Sequence, residues 1–279
     1  MPTLKNKFLI LTTVLLFWNP LPASELSIHL KCLWASYQNF KISSDNRDIL
    51  FPGNINLPYE DRLPNGHTVD PHDLTSIDQM YTLPFPAGFV HQSNGTLTYP
   101  IAKKIDEIEA GRYQLLYLNL YGNSATEVEK DLVPVQWLDG STLTFNRRYG
   151  AADALKKVVA QLAVLLSKNP DYKKYLYSPL GGTFAWRHIA HEKNLSMHSF
   201  GVAIDINTTY SNYWLWETGS DGILHYRNRI PPAIAEVFEQ NGFVWGGKWY
   251  HYDTMHFEYR PELLMRANDC ERIFLKYKG

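Results

Sequence analysis

Cysteine is nearly absent: only Cys32 and Cys270 occur in 279 residues. That excludes a disulfide-dense scaffold and a zinc knuckle, which needs several thiols at short spacing. Charge of one sign is absent too. Lys and Arg number 27 against 28 Asp and Glu, and no basic run breaks the net charge of −1. A nucleic-acid partner, gripped through its phosphates, is therefore not expected. After the first 25 residues no apolar stretch is long enough for a membrane helix, which needs about 20 residues.

What is present begins with a leader pattern. Lys5 and Lys7 precede an apolar run over residues 8–18, and Pro20, Pro22, Ala23 and Ser24 follow it. A basic start, a short apolar run and small residues make a secretory signal peptide over residues 1–24. No Cys stands at the expected cleavage point, which argues against a lipid anchor. The expectation is an exported protein, periplasmic or extracellular, with no stable membrane anchor after cleavage. There Cys32 and Cys270 could pair, and the sequence leaves that open. An apolar content of 45% supports a sizeable core. Eighteen Tyr and eight Trp stand out; such residues line carbohydrate and peptide clefts, although most are simply core.

Residues 25–130 carry no site signature and read as an N-terminal extension. Within it, 45–100 is dense in Pro, Gly, Asn and Asp and reads as loop-rich. A short helix is expected over 101–111 and a strand over 113–121, ended by Gly122. Residues 131–279 are more regular. A hairpin is expected over 133–145, turning at Asp139-Gly140. Leu155, Val158, Val159, Leu162, Leu165 and Leu166 repeat at helical spacing across 151–168. Strands are expected over 183–189, 202–206, 243–245 and 255–259. One helix runs from Pro231-Pro232 to Gly242, and another from Pro261 to about Lys276. Without a βαβ rhythm, the fold class is α+β, an antiparallel sheet flanked by helices.

The chemistry concentrates in Ser196-Met-His-Ser-Phe-Gly-Val-Ala-Ile-Asp205 and in Asp253-Thr-Met-His256. On a straight strand His198 and Asp205 would lie roughly 23 Å apart. The chain must bend between them, and Gly201 allows the bend. Beyond it, Gly201, Ala203 and Asp205 share one face, while Val202, Ile204 and Ile206 turn to the core. His256 opens another strand with Glu258 on its face. Glu258 orients a ligand His or faces solvent, and the pattern does not choose. Two imidazoles and one carboxylate leave a fourth position for water, as in catalytic zinc sites. Calcium and magnesium want more oxygen ligands, whereas iron suits the same donors. Asp253 is placed to take a proton from that water without being a ligand. On spacing alone, ordinary hydrogen-bonded histidines remain an alternative, with His188, His191, His225 and His251 nearby.

The ordered set Ser196-x-His198-x-x-Gly201-x-Ala203-x-Asp205, Trp245-Gly-Gly-x-Trp and Asp253-x-x-His256-Phe-Glu resembles the zinc D-alanyl-D-alanine carboxypeptidase and L-alanyl-D-glutamate endopeptidase family. These cell-wall enzymes share their fold with Hedgehog signalling domains. The likeness covers about residues 130–265, and its motif is specific. It implies His198, Asp205 and His256 as zinc ligands, Asp253 as catalytic base and peptidoglycan stem peptides as substrate. It also implies that Arg187, matching an upstream Arg of the family, stabilises the reacting carbonyl or a substrate carboxylate. Ser196 contacts substrate or supports the site. One departure matters: carboxypeptidase members often carry Glu as the base, and Asp-x-x-His resembles the endopeptidase branch. A non-catalytic wall-binding or signalling domain, and a dipeptidase acting on free dipeptides, remain alternatives.

Overall fold

Alternation in Ala-Ile-Asp-Ile-Asn builds the strand on which the molecule is organised. In the computed structural model the residues described are 26–60, 69–70, 73–82, 85–103, 111–190, 192–217 and 224–278. Residues 1–24, where a signal peptide is expected, and residues 104–110 of the helix expected over 101–111, lie outside them.

The chain runs α1 (Ile28–Tyr37), β1 (Lys41–Ile42), β2 (Asp48–Phe51), β3 (Ile55–Pro58), β4 (Val90–His91), β5 (Leu97–Thr98), α2 (Gln114–Tyr121) and α3 (Ala125–Glu129). It continues through β6 (Leu132–Gln136), β7 (Thr142–Asn146), α4 (Ala151–Lys168), α5 (Lys173–Leu176), β8 (Leu180–Gly182), β9 (Ala203–Asn207) and α6 (Trp214–Glu217). The last elements are α7 (Pro232–Gln240), β10 (Phe243–Trp245), β11 (His256–Tyr259), α8 (Pro261–Leu264) and α9 (Ala267–Lys278). The fold is α+β, and its strands pair antiparallel.

The principal sheet has the order β10-β11-β9-β8. Ile204 and Ile206 are fully buried on one face of β9, together with Phe257 from β11. The other face carries the chemistry, because the register sets His256 opposite Asp205 and Glu258 opposite Ala203. The helix expected over 151–168 is α4, with Leu155, Val158 and Leu162 wholly buried. The hairpin turning at Asp139-Gly140 is β6–β7.

Three expectations need correction. Residues 113–121 form a helix, not a strand. Leu116, Tyr117, Leu120 and Tyr121 are all fully buried, which is one helical face, and a short apolar run does not distinguish the two periods. Residues 183–189 form no ladder, and β8 lies just before them. Their polar backbone turns instead to the 3-10 turn Met197–Phe200: Ala185 N–H donates to His198 O at 3.2 Å, and Arg187 N–H donates to Ser199 Oγ at 2.9 Å. The C-terminal helix is broken into α8 and α9, since Met265 is extended (φ −66°, ψ 135°).

The N-terminal segment packs into the same core as the sheet. Cys32 on α1 and Cys270 on α9 form a disulfide. Buried Glu262 accepts from Tyr37 Oη (2.6 Å), Tyr117 Oη (3.0 Å) and Arg260 Nε (2.6 Å), tying α1 and α2 to the chain after β11.

Candidate metal centre and its cleft

Gly201 makes the bend that the His198–Asp205 spacing demands. It is left-handed (φ 65°), and a Cβ there would lie 2.5 Å from Leu132 Cδ2. The turn before it carries His198, and Ser196 caps that turn by accepting from His198 N–H at 3.4 Å. Beyond the bend, β9 presents Asp205 and β11 presents its cross-strand partner His256.

The three side chains meet. Asp205 Oδ2 is 3.2 Å from His198 Nε2, and Asp205 Oδ1 is 2.8 Å from His256 Nδ1. The two ring nitrogens are 3.2 Å apart. Among the described residues, these three form the group able to hold a metal ion. Donor separations of 2.8–3.2 Å are close to the edges of a four-coordinate site with bonds of about 2.0–2.2 Å. His188, His225 and His251 stand outside this group, and His191 lies outside the described residues.

The far sides of both rings are engaged as metal-ligating histidines require. His198 Nδ1–H donates to Thr183 O at 3.2 Å, which leaves the Nε2 lone pair facing the cluster. His256 Nε2–H donates to Glu258 Oε1 at 2.9 Å. Glu258 is thus wholly buried and orients a ring, deciding the alternative that its strand position left open. Arg112 pairs with Glu258, and Arg260 stands 3.7 Å away. Arg112 comes from the N-terminal segment and carries no motif, so nothing in the sequence pattern marks it.

Electrostatics separates the carboxylates. Burial pushes Asp205 up, but the attraction of His198 and His256 outweighs it and holds the carboxyl well below the usual range. Burial likewise opposes ionisation of Glu258, and Arg112 and His256 overcome it. Burial would lower His256, yet Asp205 and Glu258 raise it to about 10 in the metal-free protein. Asp253 goes the other way. Burial first, then repulsion from Asp205, lifts it to about 7. A carboxyl at that value can both take and return a proton near neutrality.

Asp253 is held by the Gly-rich loop before it. Its N–H donates to Gly246 O at 3.0 Å, and a Cβ on Gly246 would fall 2.6 Å from Asp253 O. Its Oδ1 accepts from Met255 N–H at 3.3 Å. Asp253, Ser196 and Arg187 line a cleft of about 310 Å³, with Trp214, Trp216 and Trp249 on its walls. Arg187 is exposed, and its charge partly offsets the rise at Asp253. Its backbone is clamped by Ser199, whose Oγ accepts from Arg187 N–H and donates to Arg187 O at 2.8 Å. Ser199 sits inside the motif, but its role shows only in the folded chain.

Residues 190–259 match the family model described as D-alanyl-D-alanine carboxypeptidase. The resemblance is borne out over that segment, about a quarter of the chain. It holds Ser196, His198, Asp205, Asp253 and His256, and stops short of Arg187. The match supports a peptidase in general terms. No curated protein matches the chain. Among the described residues no helix is long and apolar enough to cross a membrane.

Proposed function

We propose that this protein is an exported zinc peptidase that cuts an amide bond in the peptidoglycan stem peptide. The observation that carries the proposal is the convergence of His198, Asp205 and His256 at a cleft that Asp253 also lines. The donor set suits zinc: two nitrogens and one carboxylate, with both rings oriented from behind. Zinc bound there would supply Lewis acidity to a carbonyl and make water acidic near neutrality.

The chain's own groups then divide the work. Asp253 takes a proton from the attacking water and returns it to the leaving amine. Arg187, fixed through its backbone by Ser199, places a guanidinium against the substrate carbonyl or a carboxylate. Ser196 caps the turn of His198 and presents its edge to the cleft. Glu258 and Arg112 keep His256 in one orientation. The disulfide accords with export into an oxidising compartment.

The test is digestion of purified peptidoglycan, read by mass spectrometry. Loss of terminal D-Ala identifies a carboxypeptidase, and new peptides starting at D-Glu identify an endopeptidase. Intact sacculi after incubation with the zinc-loaded protein would refute wall hydrolysis. Cleavage of free D-Ala-D-Ala alone would make it a dipeptidase.

A further inference from the structure

Part of the cleft that Arg187 lines is aromatic, and the metal chemistry makes no use of it. Tyr213, Trp214, Trp216 and His251 line the cleft. Their rings are in mutual contact: Tyr213 to Trp216 at 5.5 Å, Tyr213 to Trp214 at 6.2 Å and Trp214 to His251 at 4.2 Å between centroids. Trp216 is 61% exposed, so it adds little to the core. An indole held half in water inside a functional cleft is placed to meet a ligand.

This wall is registered to the base. Tyr213 and Asp253 form an antiparallel bridge, Trp214 N–H donates to Tyr252 O at 2.9 Å, and Thr254 N–H donates to Asn212 O at 2.9 Å. Paired Cα atoms in such a bridge lie about 4.5–5.5 Å apart. The aromatic surface therefore begins within about two residues of extended peptide from Asp253, at roughly 3.3–3.6 Å per residue.

We infer that the aromatic wall of Tyr213, Trp214 and Trp216 binds the sugar ring to which the stem peptide is attached, and so directs cleavage to the amide between the first and second residues. This rests on the peptidase reading above. A pyranose offers a face of C–H groups that stacks on aromatic rings and a rim of hydroxyls that needs polar neighbours. The cleft supplies both, with Glu192 and His251 among its polar lining. Its volume of about 310 Å³ suits a sugar and a few residues, not a strand or helix of another protein. The distances also select the bond. The amide after the first residue lies beside the sugar, whereas a terminal D-Ala-D-Ala amide lies about 10 Å or more further along the peptide.

The experiment compares kcat/KM of the zinc-loaded full chain on two substrates: a disaccharide-linked pentapeptide and the same pentapeptide free. The disaccharide alone is also titrated against intrinsic tryptophan fluorescence. The expected result is a preference of about tenfold or more for the linked substrate, equivalent to about 1.4 kcal/mol. The product is disaccharide-L-Ala, and the fluorescence response saturates. In Trp216→Ala the ratio of the two kcat/KM values falls towards unity and the fluorescence response weakens. Equal rates on both substrates, or no response to the disaccharide, would overturn the sugar site. No cleavage of either substrate, with the disaccharide still binding, would overturn the peptidase reading and leave the sugar site standing.

Discussion

Replacing Asp253 with Asn should stabilise the metal-free protein at neutral and alkaline pH, and the gain should vanish in acid. Asn keeps the oxygen that accepts from Met255 N–H and removes only the charge. The folded carboxyl titrates at about 7, against 3.8 for an unperturbed one, because burial and Asp205 oppose its ionisation. Between those values the folded state holds a proton that the unfolded state has released. Asp253 therefore favours folding least once pH has risen through about 7, and imposes no penalty below the unfolded pKa. A rise of about three units corresponds to roughly 4 kcal/mol at 1.36 kcal/mol per unit. Asp253 is only partly buried, so solvent trims this to about 2–4 kcal/mol. At about 2 °C per kcal/mol for a chain of this size, the variant should melt about 4–8 °C higher at pH 8. Thermal unfolding of chelator-treated protein, followed by circular dichroism from pH 4 to 8.5, gives the difference directly. Groups that do not interact with Asp253 cancel in the comparison. A difference in Tm that stays flat with pH, or a wild type more stable at pH 8, would refute the reasoning.

In the same Asp253→Asn variant, hydrolysis of the wall should fall about 10²–10⁴-fold, the range for losing a general base, while zinc still binds stoichiometrically. Retained activity would remove Asp253 from its role. Glu258→Gln should weaken zinc binding about 10–100-fold in competition with a chelator, because His256 loses its anionic partner. Ser199→Ala unclamps Arg187, and should lower kcat/KM about tenfold, equivalent to the loss of a hydrogen bond or two. Replacing Cys32 and Cys270 with Ser opens a link across 238 residues, and should cost about 2–5 kcal/mol in denaturant unfolding. Unchanged stability there would mean that the packing of α1 on the C-terminal helices suffices alone.

The approach of Asp205 and His256 was legible because strand periodicity and one bend are local properties. Asp205 and His256 lie on alternating segments whose faces follow from the sequence, and Gly201 marks the turn between His198 and β9. Helix α4 was legible for the same reason, since its apolar residues repeat over 18 positions. Failures came where the period was short or the partner distant. Residues 113–121 are a short, mostly apolar run that passes for a strand, and only packing against the core shows that one helical face is buried. Residues 183–189 read as a strand, but the hydroxyl of Ser199 claims their backbone groups.

By itself the sequence determined the α+β class and the strand faces that carry Asp205 and His256, whereas the ligand set and the separate role of Asp253 came from the family resemblance. Chemistry and periodicity are written along the chain and need no neighbours to be read. The tertiary structure alone decided that Cys32 meets Cys270, that Arg112 from the N-terminal segment pairs with Glu258 behind His256, and that Tyr213 lies beside Asp253. Each joins residues far apart in the chain, and no local preference specifies such contacts. They exist because the helices and the sheet bury one shared core, which sets the distances between everything attached to it.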